Sequence, residues 1–163
     1  MSALKLTLVK IAKDFNRRHV FHDISFTLES GESLAITGRN GSGKSTLVKV
    51  IAGVLTPSAG EVCFEAGGRM LETEAVKHRL GFVSPYLQLY DEFSADENLD
   101  LLSRIRANGV PEPGTAEKLL EQFNLFHRRR DPVRTFSSGM KQRLKYVFAL
   151  LHQPDLLILD EQT

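Results

Sequence analysis

Alternating hydrophobic and polar positions, together with short apolar runs, predict β-strands in the first half of the chain. In the segment 20–28, Ile24, Phe26 and Leu28 alternate with polar residues, the pattern of a half-buried sheet. The segment 33–37 leads into a glycine-rich loop and predicts a short buried strand. The other predicted strands lie at residues 5–11 and 61–64, and a hairpin loop is expected at 67–68.

Helical patterns follow the glycine-rich loop and dominate the chain after residue 83. We expect the first helix to end at Gly53. Ser94 and Glu97 have the spacing of a capping box and predict a helix that ends at Asn108 and Gly109. Another helix is predicted at 116–127. A last one, starting at Ser138 or Gly139, has an apolar stripe formed by Met140, Leu144, Val147, Phe148 and Leu151.

Two shorter segments complete the pattern of the second half. The three arginines at 128–130 are interpreted as a solvated helix end rather than a binding patch. Residues 156–159 are all apolar and follow Pro154, so they predict a strand buried on both faces.

Composition narrows the class of protein. The chain has 163 residues, 42% of them hydrophobic, and a formal net charge of +1. This length predicts one domain with a single core, and the near-neutral charge gives no support for binding nucleic acid. We expect that the chain does not span a membrane and is not itself exported from the cell, because its apolar runs are too short for a membrane span or a signal peptide. One cysteine, Cys63, fits a reducing cytosol.

The glycine-rich loop matches the phosphate-loop pattern G-x-x-x-x-G-K-[ST]. It lies between a predicted strand and a predicted helix, where successive backbone N–H groups and the helix dipole can hold a phosphate. Lys44 is predicted to reach the β and γ phosphates, Ser45 to ligate Mg²⁺, and Thr46 to lie near the α phosphate. The alternative is a plain glycine-rich turn. The loop comprises Gly38, Arg39, Asn40, Gly41, Ser42 and Gly43.

The apolar strand at 156–159 ends in two carboxylates, Asp160 and Glu161. In phosphate-loop ATPases an aspartate at such a strand end holds Mg²⁺, so Asp160 is a predicted metal ligand. Glu161 is a candidate to orient or deprotonate the water that attacks the γ phosphate. The alternative is a pair of solvated carboxylates at the end of a strand.

The segment FSSGMKQRL, from Phe136 to Leu144, precedes this acidic strand. It resembles the signature motif, usually LSGGQ followed by a basic helix, of the ATP-binding cassette (ABC) ATPases that power membrane transporters. Here Ser138 replaces the first glycine, Gly139 keeps the second, and Met140 replaces the glutamine. This variant is more similar to exporter cassettes than to importer subunits.

The resemblance implies an α/β fold: a P-loop NTPase core of the ABC ATPase type, with an N-terminal antiparallel β subdomain and an inserted helical subdomain. Residues 1–83 and 149–163 would form the nucleotide-binding core, and 84–148 the helical subdomain. Family members continue with a loop and a strand carrying a histidine that contacts the γ phosphate. We therefore expect an incomplete domain without its C-terminal strands, one that binds ATP without hydrolysing it.

The resemblance also implies roles for individual residues. Phe15, placed in the loop between the first two strands, would stack on adenine. The family usually has a glutamine at the position of Pro85, and Gln88 is the nearest substitute to reach Mg²⁺ and the attacking water. Ser137, Ser138 and Gly139 would close over the γ phosphate held by the phosphate loop of a second cassette.

The implied partners are therefore a second cassette, in a head-to-tail homodimer or paired arrangement, and a transmembrane transporter subunit. ATP and Mg²⁺ are the implied cofactors, and the implied location is the cytoplasmic face of the cell membrane. No nucleic-acid partner is expected.

Other functions remain open at this point. A DNA-repair ATPase of the same superfamily would carry a long coiled coil between phosphate loop and signature, and the sequence has no sustained heptads there. A translation ATPase gains no support from the near-neutral charge. A phosphate-loop kinase would not explain the signature segment or Glu161.

Overall fold

The structure is a computed structural model that describes residues 3–16, 18–105 and 112–160. It divides into two compact units, Met1–Leu80 and Gly81–Thr163, each described by itself below. No helix among the described residues is long and apolar enough to cross a membrane.

The first unit is built on a four-stranded antiparallel sheet in the order β2-β1-β3-β4. Its strands are longer than predicted because the hydrogen-bonded pairing continues to the turn at Asn16. The hairpin turn at residues 67–68 is confirmed. The strands are β1 (Leu4–Phe15), β2 (Arg18–Leu28), β3 (Ala59–Ala66) and β4 (Arg69–Met70).

A bulge in β1 keeps its apolar side chains on one face. Leu4, Leu6 and Leu8 alternate into the core, and the register then shifts, so that Ile11 is also buried despite its odd number. Gly60 lies opposite this bulge with a φ of 81°, and a Cβ there would lie 2.4 Å from two backbone oxygens of β1. Only glycine fits this close approach.

The predicted strand at 33–37 is wrong. This segment has no strand geometry, and Leu34 is 50% exposed. A strand forms only where another strand supplies hydrogen bonds, and the sheet of the first unit contains only the four strands named above among the described residues. Residues 33–37 therefore have the residue types of a strand but, within the described part of the chain, no neighbouring strand to pair with.

Two helices belong to the first unit. Helix α1 (Lys44–Ile51) buries Leu47, Val48, Val50 and Ile51 and is followed by Gly53 at a φ of 71°, which confirms the predicted stop. Helix α2 (Thr73–Arg79) was not predicted; it buries Val76.

In the second unit, β5 (Leu80–Val83) pairs with β6 (Leu156–Leu159) in a two-stranded sheet. Strand β6 is confirmed, but its predicted burial on both faces is wrong: Ile158 is buried, whereas Leu159 is 47% exposed. The period-two alternation of a strand turns successive side chains to opposite faces, and only one face of β6 is covered. Gly81 is needed in β5 because a Cβ there would lie 2.7 Å from the carbonyl oxygen of Ala149.

Among the described residues, the second unit also contains three α-helices and two single-turn 3₁₀ helices. The predicted stripe of the last helix is confirmed, since Leu144, Val147 and Leu151 are buried while Met140 and Phe148 pack against the same core. The helices are α3 (Ala95–Ile105), α4 (Thr115–Gln122) and α5 (Ser138–Leu150), and the 3₁₀ helices are Phe126–Arg128 and Val133–Thr135.

The predicted boundaries of α3 and α4 have different outcomes. The capping box is confirmed, because the Glu97 N–H donates to Ser94 Oγ (3.2 Å) while the Ser94 N–H donates to Glu97 Oε2 (2.8 Å). The predicted end at Asn108 and Gly109 lies outside the described residues. The prediction that α4 extends to residue 127 is wrong, since Asn124 takes a φ of 55° and ends the helix.

Candidate nucleotide-binding site

The phosphate loop follows the exposed segment 33–37 and runs directly into α1. Gly41 and Gly43 have φ values of 79° and 94°, the left-handed region in which glycine is favoured. Gly38 has a φ of 153°, and a Cβ there would lie 2.9 Å from Ser42 Oγ. The Ser42 N–H donates to the carbonyl oxygen of Arg39 (3.1 Å). The loop is therefore a tight turn that depends on its glycines.

Lys44 folds back across this loop. Its Nζ donates to the carbonyl oxygens of Gly38 (2.8 Å) and Arg39 (3.1 Å). The ammonium group thus lies against the backbone of the phosphate loop. Both hydrogen bonds are to neutral carbonyls, which an anionic phosphate can replace with stronger, charge-assisted bonds.

The start of α1 presents backbone N–H groups. Gly43 is the N-cap and forms no side-chain cap bond. The Leu47 N–H donates to the Gly43 carbonyl (2.8 Å), so the helical ladder begins there. The N–H groups of the first residues of a helix have no carbonyl of the preceding turn to bind. Together with the absence of any acidic residue in the first turn of α1, this arrangement fits an anionic phosphate.

Phe15 differs from its predicted position. It is the last residue of β1, paired with Arg18, rather than part of a loop. Its ring is 46% exposed, and Lys13 Nζ lies 4.9 Å from the ring centroid. Lys13 is itself held by a hydrogen bond to the carbonyl oxygen of Thr56 (2.7 Å). An exposed aromatic ring at a strand end is available for stacking.

The acidic strand end belongs to the second unit. Asp160 follows β6 directly, is 7% exposed, and its N–H donates to the Val83 carbonyl (2.9 Å), so its backbone is fixed by β5. A buried carboxylate at this position fits the donor chemistry that Mg²⁺ prefers. Glu161, the predicted catalytic carboxylate, lies outside the described residues.

Gln88 follows a turn at the end of β5. The Leu87 N–H donates to the Ser84 carbonyl (3.0 Å), with Pro85 at the second position of the turn. Gln88 is exposed beyond this turn. Pro85 occupies the position where the family usually has glutamine. The turn that contains Pro85 therefore separates this position from Gln88.

The signature segment opens α5 as predicted. Ser137 is the N-cap, and its Oγ accepts a hydrogen bond from the Met140 N–H (3.2 Å). Ser137, Ser138 and Gly139 are exposed, and a Cβ on Gly139 would have open space around it. Phe136, just before them, is buried in the core of the second unit. The segment is thus anchored on one side and accessible on the other.

Sequence reasoning missed the contacts of two arginines near this segment. Arg128 and Arg129 were interpreted as part of a solvated helix end, yet both are half-buried and hydrogen-bonded. The interpretation was wrong for these two residues because Arg128 donates to Asp131 and Arg129 donates to the Phe126 carbonyl. Arg130 is exposed, as expected.

The comparisons with known proteins agree with this geometry. The family model for ABC transporters matches residues 21–163. The chain therefore belongs to the ABC transporter family of ATP-binding proteins.

Related proteins match nearly the whole chain. The linearmycin resistance ATP-binding protein LnrL of Bacillus subtilis is 36% identical over 157 residues, which cover 94% of this chain and 50% of LnrL. The Nod factor export ATP-binding protein I of Rhizobium leguminosarum is 34% identical over 164 residues, covering 100% of this chain and 53% of that protein. The chain thus spans about half the length of these relatives.

Solved structures show the same fold. One titled as an ATP binding subunit of an ABC transporter has a TM-score of 0.78 and 30% identity, covering 96% of this chain and 65% of that one. Another, cbiO1 from Clostridium perfringens, part of the ABC transporter complex cbiONQ, has a TM-score of 0.77 and 25% identity, covering 96% and 64%. The α/β fold of an ABC-type P-loop core is therefore confirmed.

Proposed function

We propose that this chain is the nucleotide-binding portion of an ABC transporter subunit, which binds Mg-ATP and, in the intact protein, hydrolyses it as a head-to-tail dimer. One observation carries the proposal: helices α1 and α5, which begin at the phosphate loop and the signature segment, have no acidic residue in their first turn. Helices α3 and α4 have Asp96, Glu97 and Glu117 there, where the helix dipole favours a carboxylate.

In this proposal the first unit binds the nucleotide. Residues 38–43 surround the β phosphate with backbone N–H groups, and the exposed Arg39 and Asn40 line the outer side of the loop. Lys44 exchanges its two carbonyl partners for phosphate oxygens. Thr46 lies near the α phosphate, and Phe15 stacks on adenine through its exposed ring.

Ser45 of α1 belongs to the first unit, and the other groups proposed for hydrolysis belong to the second. Ser45 and Asp160 are the residues that would hold Mg²⁺, which would neutralise charge on the β and γ phosphates. Glu161 accepts a proton from the attacking water or orients it, and Gln88 assists from its exposed loop. Ser137, Ser138 and Gly139 bind the γ phosphate held by the partner cassette.

The proposed partner is a transmembrane transporter subunit, and the proposed location is the cytoplasmic face of the membrane. Relatives named for export and resistance, including the Nod factor export protein, support transport out of the cell. A lantibiotic transport protein of Streptococcus pyogenes, 32% identical over 158 residues, belongs to the same group of relatives.

The experiment compares Lys44→Ala and Glu161→Gln with a matched control, Lys77→Ala. Lys77 is also a lysine of the first unit, but it forms an exposed ion pair with Glu74 (2.9 Å). Binding of a fluorescent ATP analogue and release of phosphate are measured on the same samples of the intact protein. We expect Lys44→Ala to lose binding and turnover by about 100-fold, because it removes a charge-assisted contact to phosphate.

Glu161→Gln should keep nucleotide binding and lose turnover by a similar factor, since only the step involving water needs the carboxylate. Lys77→Ala should match the wild type in both measurements. Undiminished phosphate release by both Lys44→Ala and Glu161→Gln would refute the proposed function.

A further inference from the structure

Arg128 ends the 3₁₀ helix Phe126–Arg128, and its side chain reaches toward the signature segment. Its Nε donates to Asp131 Oδ2 (2.7 Å), and its Nη2 donates to Thr135 Oγ1 (2.9 Å). Its Nη1 lies 3.9 Å from Met140 Sδ, and its guanidinium carbon is 5.5 Å from the centroid of Phe136. The Arg128 side chain therefore contacts its neighbours through all three of its nitrogens and through one face of its guanidinium group.

These partners lie on both sides of the three exposed signature residues. Thr135 and Phe136 come directly before Ser137, and Met140 comes directly after Gly139. Thr135 is fixed further, because its Oγ1 donates to the Pro132 carbonyl (2.8 Å) while accepting from Arg128. The exposed residues 137–139 are thus connected at both ends to the same guanidinium group.

The guanidinium group is suited to this role. It is planar and presents its donors in fixed directions, so its contacts with several partners define one another's positions. A lysine would keep the positive charge but present a single, freely rotating ammonium group. The side chain of Arg128 is 33% exposed, so its charge remains partly solvated and its burial is not costly.

We propose that Arg128 is a positioning residue for the signature segment: its fork fixes the turn that presents Ser137, Ser138 and Gly139 to phosphate. The inference rests on the proposed function for its consequence in hydrolysis. Arg128 itself does not touch the nucleotide. It sets the backbone conformation from which α5 begins.

The neighbouring Arg129 is a matched control. It is buried to a similar degree, at 26% exposure, and makes the same kinds of contact: its guanidinium carbon lies 3.9 Å from the Phe126 ring centroid, and its Nε lies 3.7 Å from Asp96 Oδ2. Its Nη1 donates to the Phe126 carbonyl (3.1 Å). These partners stabilise the same unit but do not include residues 135–140.

The test compares Arg128→Ala, Arg128→Lys and Arg129→Ala in the intact protein. Hydrogen exchange at the amides of Met140 and Lys141, which donate to Ser137 Oγ and to the Ser137 carbonyl, reports the turn directly. We expect exchange there to rise by about 10-fold in Arg128→Ala, since a charge-assisted bond and a cation–π contact are lost, and to stay unchanged in Arg129→Ala. Arg128→Lys should exchange nearly as fast as Arg128→Ala.

Steady-state phosphate release supplies the second readout. We expect kcat to fall by about 10-fold in Arg128→Ala while KM for ATP stays within about 2-fold, because the turn acts after the phosphate loop has bound nucleotide. Arg129→Ala should keep wild-type kcat even where it lowers the unfolding temperature. A purely structural role would lower kcat in both variants in proportion to stability.

A milder variant covers the case in which Arg128→Ala fails to fold. Thr135→Val keeps the shape of the side chain and removes the acceptor of Nη2, so it should change exchange and kcat in the same direction by a smaller factor. Wild-type exchange at the Met140 and Lys141 amides in Arg128→Ala and Thr135→Val, or full restoration by Arg128→Lys, would overturn the positioning role. Absence of phosphate release by the wild type would instead refute the proposed function, and the exchange measurement would still decide the positioning role.

Discussion

The phosphate loop and the signature segment are both helix starts, but they are built in opposite ways. Helix α1 begins after a left-handed glycine, Gly43, which provides no side-chain cap. Helix α5 has Ser137 as its N-cap, and the Ser137 hydroxyl oxygen accepts a hydrogen bond from the Met140 N–H. The first start is formed by backbone and glycine, and the second by side chains.

The two helix starts therefore owe their conformations to different contacts. At α1, the shape depends on what glycine permits, with Gly43 packed against Val20 and Phe21 of β2. At α5, the shape depends on anchors outside the exposed residues: buried Phe136, the Arg128 fork, and the ion pair of Lys141 with Asp91 (2.6 Å). Substitutions should therefore act differently at the two starts.

The largest expected effect is at Gly43. Its φ is 94°, and a Cβ would lie 2.6 Å from Val20 Cγ1. Gly43→Ala should lower the free energy of unfolding by about 3 kcal/mol, the sum of left-handed strain and overpacking. Gly41→Ala has a similar φ but nothing within 4 Å of the added Cβ, so it should cost only about 1 kcal/mol of strain.

Urea denaturation of both variants measures this difference. Equal losses at Gly43 and Gly41 would contradict the idea that contact with β2, rather than φ alone, shapes the start of α1.

A smaller effect is expected at the start of α5. Ser137→Ala removes the hydroxyl that accepts the Met140 N–H and should cost about 1 kcal/mol of unfolding free energy. Ser138→Ala is the matched control, since Ser138 is the first helical residue and Ser137 provides the cap. Thermal unfolding of the two variants compares them. A larger loss for Ser138→Ala would show that the cap assignment is wrong.

The start of α3 differs from those of α1 and α5 because it carries negative charge. The N–H and hydroxyl of Ser94 donate to the Glu97 carboxylate and hold the pKa of Glu97 below its ordinary value of 4.5. The folded state therefore favours the ionised form, so the stabilisation is present above pH 4.5 and is lost as the pH falls through the lowered pKa.

Glu97→Gln keeps a capping side chain but removes the charge. We expect the difference in unfolding free energy between this variant and the wild type to be largest near neutral pH and to shrink below pH 4.5. The control for replacing a glutamate by glutamine is Glu121→Gln, at an exposed glutamate of α4. A constant difference from pH 7 to pH 3 would contradict the prediction.

Asp96, beside Glu97, shows why residue type alone did not predict the electrostatics of this helix start. Burial raises the pKa of Asp96, and the nearby Arg129 guanidinium partly offsets that rise. Two adjacent carboxylates of one helical turn thus have pKa values shifted in opposite directions. The spacing of Ser94 and Glu97 predicted the cap, whereas the burial of Asp96 depends on the packing around α3.

Features that depend on neighbouring residues were predictable from the sequence. The phosphate loop, the start of α5 at Ser138, the Ser94 capping box and the stop at Gly53 each rest on contacts within about one turn of chain. Such contacts are set by residue type and spacing, so the pattern that predicts them also contains their partners.

Features that depend on distant partners were decided by the tertiary structure. Residues 33–37 have the composition of a strand but are not paired as one, and β6 is covered on one face only. Phe15 became the end of a strand because pairing with β2 continues to the turn. Arg128 reaches the signature segment because the chain makes two 3₁₀ turns between them. In each case the outcome depends on pairing, burial or ion contact, whose energy exists only once the fold brings the interacting groups within reach.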